Sequence, residues 1–115
     1  MEIPDGDEFL IAFGVEPAPS ALDADIYEMR IPGDELAVVF SYSEGGESVR
    51  VSWERKGSPL MEAFREGVEA VRIRDVEGRV GISCLSRMGP FVGVLDIDIY
   101  PNLKIKDSIL LEESE

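Results

Sequence analysis

Apolar and polar side chains alternate residue by residue along much of this chain. Met29 and Ile31, for example, alternate with Glu28 and Arg30, and the same rhythm returns in later segments up to Tyr100. A repeat of two residues places successive side chains on opposite faces of an extended backbone. The alternation therefore predicts a fold built mainly from β-strands, each with one buried face.

Short turn sequences separate these alternating segments, as at Pro32–Gly33, Glu77–Gly78 and Met88–Pro90. Strands joined by tight turns are antiparallel, because a parallel pair needs a crossover of about a dozen residues or more. The sequence contains six or seven such strands and at most two short helices. It predicts a mainly β, β-rich α+β fold: a single antiparallel meander sheet curled into a half-barrel or small sandwich, with one or two short helices.

One hairpin is indicated by both of its strands and by its turn. Val38 and Phe40 lie on one face of the first strand, and Val51 and Trp53 lie on one face of the return strand. The connecting residues 43–47 include two glycines, which readily take the positive φ angles of a tight turn. We expect Trp53 to pack in the core, the alternative being that it borders a ligand pocket or an interface.

The first helix is predicted over residues 6–13. Asp5 is a suitable N-cap, Phe9 and Phe13 share one helical face, and Gly14 suits the C-terminal end. A strand with Phe9, Ile11 and Phe13 facing inward is the alternative.

A second helix is predicted after the hairpin. Leu60, Met61 and Phe64 have the spacing of one helical turn, with Ser58 as the cap and Pro59 at the first helical position. Further along, the segment around Leu103 and Ile105 is predicted to form a short edge strand, since Lys104 and Lys106 would discourage unwanted strand pairing.

The charge of the chain is concentrated at its two ends. Residues 1–29 contain eight carboxylates and residues 107–115 contain four, without any Lys or Arg, and the net charge of the whole chain is −13. A length of 115 residues fits one domain. We predict a single domain over residues 1–115, with an acidic N-terminal segment that holds a short helix and a loop (1–25), an antiparallel β core (26–106) and an acidic tail (107–115).

The composition excludes most enzyme chemistry. The chain has no histidine, which removes the usual general base and the Ser-His-Asp and Cys-His arrangements. Its single cysteine, Cys84, alternates inward with Val80 and Ile82 and is predicted to be a buried apolar residue and not a reactive thiol. We therefore expect no catalysis, no cofactor and no metal.

The same composition bears on location and partners. No membrane span or signal peptide is readable, and a lone Cys84 suits a reducing compartment, so we expect a cytoplasmic protein. A strongly negative chain repels phosphate backbones, and nucleic acid is not an expected ligand. The charge attracts cationic proteins, although acidity also serves solubility alone.

Asp96 and Asp98 are the strongest remaining candidates for a site. Side chains two residues apart on a strand point to the same side, roughly 7 Å apart, as a Mg²⁺ or Ca²⁺ site or a glycosidase pair could use. Their alternation with Leu95, Ile97 and Ile99 is also the pattern of a half-exposed strand. We expect a solvated sheet face.

The outward arginines are predicted to form ion pairs across the strands. Arg50, Arg72 and Arg74 alternate with apolar residues and have carboxylates such as Glu54 and Asp75 close by in the sequence. Such exposed pairs contribute little to stability. We expect paired surface charges and not a basic binding stripe.

The arrangement from Phe13 to Pro17, through the two hairpins, to the segment Leu95–Pro101 resembles a group of small acidic bacterial proteins. These are the immunity proteins, which are encoded beside polymorphic toxins and neutralise a sibling toxin. The resemblance covers most of the chain and lies in size, acidity and strand order, without a diagnostic motif. It implies a cytoplasmic, non-enzymatic protein that binds a toxin domain and blocks its active site.

Together with the charge, this resemblance predicts a protein-binding inhibitor with a cationic partner. Two alternatives remain: a small-ligand-binding or structural β module whose acidity serves only solubility, and an enzyme that uses carboxylates alone. A deep apolar pocket lined by Trp53 would favour the first of them. Contacts with the partner are expected at these carboxylates: Asp23, Asp25, Glu28, Asp96, Asp98, Glu112 and Glu113.

Overall fold

The computed structural model describes residues 1–33 and 35–111 and is mainly β. Within these residues, one helix precedes nine strands. The helix α1 spans Gly6–Phe13, and the strands are β1 (Ala18–Pro19), β2 (Tyr27–Ile31), β3 (Ala37–Ser43), β4 (Ser48–Arg55), β5 (Ser58–Arg65), β6 (Val68–Val76), β7 (Arg79–Met88), β8 (Phe91–Tyr100) and β9 (Lys104–Leu111).

The chain divides into two compact units, each with one antiparallel sheet. The N-terminal unit, Asp5–Glu66, contains a five-stranded sheet in the order β1-β2-β3-β4-β5. The C-terminal unit, Met1–Pro4 with Gly67–Glu115, contains a four-stranded sheet in the order β6-β7-β8-β9. Within each sheet every strand pairs with its neighbour in the chain, which confirms the antiparallel meander, and the meander is divided into two sheets between β5 and β6.

The helix predicted over residues 6–13 is confirmed. The Asp5 Oδ1 accepts a hydrogen bond of 2.9 Å from the Glu8 amide, and Gly14 ends the helix with a φ of 76°. The strand alternative is wrong because Ile11, which it placed inward, is 87% exposed, whereas Phe9 is fully buried with its ring 6.4 Å from that of Phe40.

The predicted β3–β4 hairpin is also confirmed. Phe40 pairs with Val51 and Val38 with Trp53, and all four side chains are buried. At the turn, the Ser43 hydroxyl accepts a hydrogen bond of 3.0 Å from the Gly46 amide. This hairpin lies within the N-terminal sheet, between β2 and β5.

The second predicted helix is wrong, since Ser58–Arg65 is strand β5. Lys56 and Gly57, which follow β4 directly, have φ angles of 51° and 81°. Two successive positive φ angles define the tight turn that reverses a strand onto itself, so the chain returns at once along β4. The backbone hydrogen bonds offered by β4 then outweigh a weak local helix preference.

The C-terminal sheet has the predicted inward alternation. Cys84, Leu95 and Ile97 are buried on β7 and β8. The start of the chain joins this unit, because Glu2 pairs in parallel with Ala70 through two backbone hydrogen bonds of 2.8 Å, with Glu69 and Val71.

The predicted edge strand near Ile105 is confirmed and is longer than expected. It begins at Lys104 and continues through Asp107 to Leu111, so residues 107–111 of the acidic tail are part of β9. Residues 112–115 of the tail lie outside the described residues. No helix in the described part of the chain is long and apolar enough to cross a bilayer.

Candidate functional site

Two exposed carboxylates lie in the loop that joins β1 to β2 in the N-terminal unit. The Asp23 Oδ1 accepts a hydrogen bond of 2.9 Å from the Asp25 amide, and the Ser20 amide donates one of 2.7 Å to the Ile26 carbonyl. These bonds give residues 20–26, here called the acidic loop, a defined turn. The loop holds both carboxylates towards solvent.

Glu28 extends this acidic surface onto the neighbouring strand. It lies on β2 opposite Ala18 and is exposed. Asp23, Asp25 and Glu28 form no ion pair with any described residue, so their charges are not neutralised within this part of the chain. Three of the predicted contact residues, which are close in the sequence, are thus all exposed on one short segment.

The acidic loop also presents an apolar residue that the sequence analysis missed. Leu22 is 98% exposed next to Asp23, and its amide donates a hydrogen bond of 3.3 Å to the Ser20 hydroxyl. Protein interfaces have an apolar centre and a polar rim, and Leu22 with its neighbouring carboxylates has the same order on a small scale. The available signal was a lone leucine within a segment otherwise made of small, acidic and proline residues.

Asp96 and Asp98 lie in a different environment, on the outer face of the C-terminal sheet. Asp96 pairs in register with Lys106 and Asp98 with Lys104. The Asp96 Oδ1 accepts a hydrogen bond of 2.5 Å from the Ser83 hydroxyl and lies 3.4 Å from the Arg74 Nη1. These two carboxylates therefore have cations beside them, unlike those of the acidic loop.

A groove of about 230 Å³ lies at this position, here called the outer groove. Four cations and two carboxylates line it, so that its local charge is positive although the chain is strongly acidic. Its lining residues are Arg74, Val76, Arg79, Asp96, Asp98, Lys104 and Lys106. The last two predicted contact residues, Glu112 and Glu113, lie outside the described residues.

The predicted cross-strand ion pairs are confirmed, with partners that the sequence did not name. Arg50 Nη1 lies 2.6 Å from Glu62 Oε1, and Arg72 Nη2 lies 3.6 Å from Glu2 Oε2. Glu54 pairs with Arg30 on the same sheet. All of these side chains lie at or near the surface, so each pair contributes about 1 kcal/mol or less.

The structure also locates the cysteine and the cavities that bear on the alternative functions. Cys84 is 1% exposed, as predicted for a buried apolar residue. Among the described residues, no group of three or more cysteine or carboxylate side chains is placed to hold a metal ion. A second cavity, of about 60 Å³, is lined by Tyr42, Arg50 and neighbouring side chains. Trp53 lines neither this cavity nor the outer groove, so the pocket that would favour a small-ligand module is not formed at either place.

Comparison with known proteins gives one informative likeness. No protein-family model and no curated protein matches the sequence. The structure is similar to a chain of a solved contact-dependent growth inhibition toxin–immunity protein complex from Klebsiella pneumoniae 342, with a TM-score of 0.82 and 22% identity over 95% of this chain and 96% of that chain. At this identity the likeness shows a shared fold. The resemblance to immunity proteins is thereby confirmed at the level of the fold.

Proposed function

We propose that this protein is an immunity protein, a non-enzymatic inhibitor that binds a cognate bacterial toxin and covers its active site. The observation that carries the proposal is the fold, which matches a component of a toxin–immunity complex over nearly the whole length of both chains. The absence of histidine and the burial of Cys84 support a binding role over a catalytic one.

The distribution of charge supports a cationic partner. The N-terminal unit contains fourteen carboxylates against five Lys and Arg residues. Such an imbalance raises the rate at which a cationic protein meets this surface and disfavours nucleic acid as a ligand. We propose that the partner is a cationic toxin domain.

The proposed contact surface begins at the acidic loop. Asp23, Asp25 and Glu28 are exposed and are not neutralised by a described residue, and Leu22 supplies an apolar anchor beside them. Charges around an anchor guide the encounter, while the desolvated anchor slows dissociation. Asp96, Asp98, Glu112 and Glu113 remain proposed contacts of the same partner, and the proposed location of the complex is the cytoplasm.

The test uses a candidate toxin domain taken from a gene adjacent to the one that encodes this protein. Bacteria that express that domain should stop growing, and co-expression of this protein should restore growth. A toxin domain of an unrelated class serves as the control and should remain toxic. If the neighbouring toxin stays active in the presence of excess protein, the proposed function is wrong.

Coverage of the active site has its own test. Purified protein should inhibit the toxin stoichiometrically, and excess substrate should weaken the inhibition because the two compete for the same cleft. Inhibition that is complete and independent of substrate concentration would show that the toxin is blocked from another surface.

A further inference from the structure

The outer groove is built from side chains that adjacent strands place in register. Arg74 on β6, Gly81 on β7, Asp98 on β8 and Lys104 on β9 form one row across the C-terminal sheet. Gly81 has no side chain, so nothing on β7 separates the charges on either side of it in this row. Side chains at every second position of a strand point to the same face of the sheet. The side chains of this row therefore lie on the outer face.

The charges in the outer groove are only partly compensated. Asp96 is engaged by Ser83 and Arg74, at 2.5 and 3.4 Å. Arg79, Lys104 and Lys106 form no ion pair with a described residue. The groove thus has an excess of two cations over carboxylates, and three of its cations are not paired with a described carboxylate.

We propose that the outer groove binds a carboxylate side chain presented by an acidic peptide segment of a partner protein. A carboxylate carries a single negative charge, which the excess of two cations more than compensates, and Arg79 and Lys104 would donate charge-assisted hydrogen bonds to its two oxygens. A phosphate dianion would place a second charge beside Asp96 and Asp98, whose repulsion acts against it. The groove volume of about 230 Å³ leaves room for a carboxylate and for part of its side-chain stem.

The proposal assigns opposite roles to neighbouring residues, which makes it testable. Arg79 and Lys104 attract the ligand, whereas Asp98 competes with it for the same cations. Removing the charge of Asp98 should therefore strengthen binding, an effect that structural damage would not produce. Lysines on an edge strand such as β9 ordinarily prevent unwanted pairing with another strand. If Lys104 and Lys106 do only this, the chain should show no saturable binding of the ligand.

The test uses the isolated ¹⁵N-labelled chain, so its result does not depend on the identity of a toxin. A capped Gly-Glu-Gly peptide is titrated at constant ionic strength, with capped Gly-Gln-Gly as the matched probe. We expect saturable shifts of the Gly81 and Lys104 amide signals with the glutamate peptide only. The double variant Arg79→Gln/Lys104→Gln should bind about tenfold more weakly or worse, and Asp98→Asn should bind more tightly.

A charge-matched control and a competing anion complete the experiment. Arg55→Gln/Lys56→Gln removes two exposed cations from the β4–β5 turn of the other unit and should leave the affinity within about twofold. Equal weakening in this control, or no saturable shift in the parent chain, overturns the proposal. Tighter binding of inorganic phosphate than of the glutamate peptide overturns the assignment of a carboxylate ligand.

Discussion

Trp53 is the largest aromatic side chain in the chain and packs in the N-terminal sheet. It is 4% exposed, as its inward position on the β3–β4 hairpin predicted. Its indole Nε1 is buried and has no hydrogen-bond partner among the described residues. Packing, and not hydrogen bonding, is therefore the contribution of this residue, since a buried unpaired N–H costs free energy.

Replacing Trp53 tests this assignment. Trp53→Ala should lower the free energy of unfolding by about 3–5 kcal/mol because it leaves a large cavity. Trp53→Phe should cost less than roughly half that amount, since the phenyl ring fills part of the space and the unpaired N–H is removed. Both values are measured by urea unfolding followed by circular dichroism. Tryptophan fluorescence is not suitable, because each variant lacks the single tryptophan of the chain. A stability of Trp53→Ala equal to that of the parent would mean that the side chain does not pack in the core.

Tyr42, in the same sheet, makes the stability of the protein depend on pH. Burial raises the pKa of the Tyr42 hydroxyl above its usual value, and the negative charge of Glu44 and the neighbouring Tyr27 raise it further. The unfolded chain therefore loses this proton at lower pH than the folded chain does. Stability should fall as the pH rises above about 10, where unfolded tyrosine ionises. Unfolding measured between about pH 9 and 11 should show a shallower loss for Tyr42→Phe, and an equally steep loss would contradict the assignment.

At the scale of elements, β5 shows how tertiary pairing overrides local sequence preference. Its residues Leu60, Met61 and Phe64 have helical spacing, yet the Lys56–Gly57 turn directs them along β4. The strand lies at the edge of the N-terminal sheet, and these three side chains remain 44–60% exposed. The spacing predicts a helix because it reports only local neighbours, and the pairing partner lies on another strand.

Side-chain contacts on the outer face hold β5 to β4. The Arg50 guanidinium lies 5.1 Å from the centre of the Phe64 ring, directly opposite it in register. A double-mutant cycle with Arg50→Gln and Phe64→Leu should give a coupling energy of about 0.5–1 kcal/mol, as expected for an exposed cation–π pair. Denaturant unfolding of the four proteins measures it. Additive effects of the two substitutions would show that the contact does not stabilise β5.

Gly81 allows the backbones of β7 and β8 to approach each other closely. The register of the pair shifts beside this residue, and a Cβ placed there would lie 2.1 Å from the Ile97 carbonyl oxygen. Gly81→Ala should therefore force the two strands apart and destabilise the protein by about 1–3 kcal/mol. Gly45→Ala is the matched control, because a Cβ at Gly45 meets no atom within 4 Å, and its effect should stay within about 0.5 kcal/mol. Thermal unfolding distinguishes the two, and equal stabilities would contradict the close approach.

At the scale of the whole molecule, the two units differ in charge. The N-terminal unit carries most of the excess negative charge, whereas the described part of the C-terminal unit contains seven carboxylates against six cations. The proposed inhibitor would thus attract a cationic toxin mainly through the N-terminal unit. The proposed carboxylate site of the outer groove lies in the other unit, whose charge is nearly balanced.

Steering by the acidic loop is tested with the toxin partner. Asp23→Asn/Asp25→Asn should slow association by on the order of threefold while changing dissociation much less, because peripheral charges act mainly on the encounter. The amide introduced at position 23 retains an oxygen acceptor for the Asp25 backbone N–H, so the turn is preserved. Added salt should slow the parent more than the variant, since exposed charges are screened beyond about 8 Å at 0.15 M.

Asp75→Asn/Glu77→Gln is the control for this measurement. It removes the same number of exposed carboxylates from the β6–β7 turn of the C-terminal unit. If it slows association as much as the acidic-loop variant, net charge and not the loop is responsible. If neither variant nor salt alters the rate, the acidity of the chain serves solubility.

The class of fold and most of the strands could be predicted from the amino-acid sequence. A two-residue alternation and short turns specify antiparallel strands through local geometry alone, and the Asp5 cap with Gly14 specifies α1. Three features became visible only in the folded protein: β5 is a strand, the meander divides into two sheets, and Glu2 joins β6. The tertiary structure also shows that Asp96 and Asp98 lie among cations while Asp23 and Asp25 do not. These features depend on which strands pair and in which register, because cross-strand neighbours are far apart in the sequence.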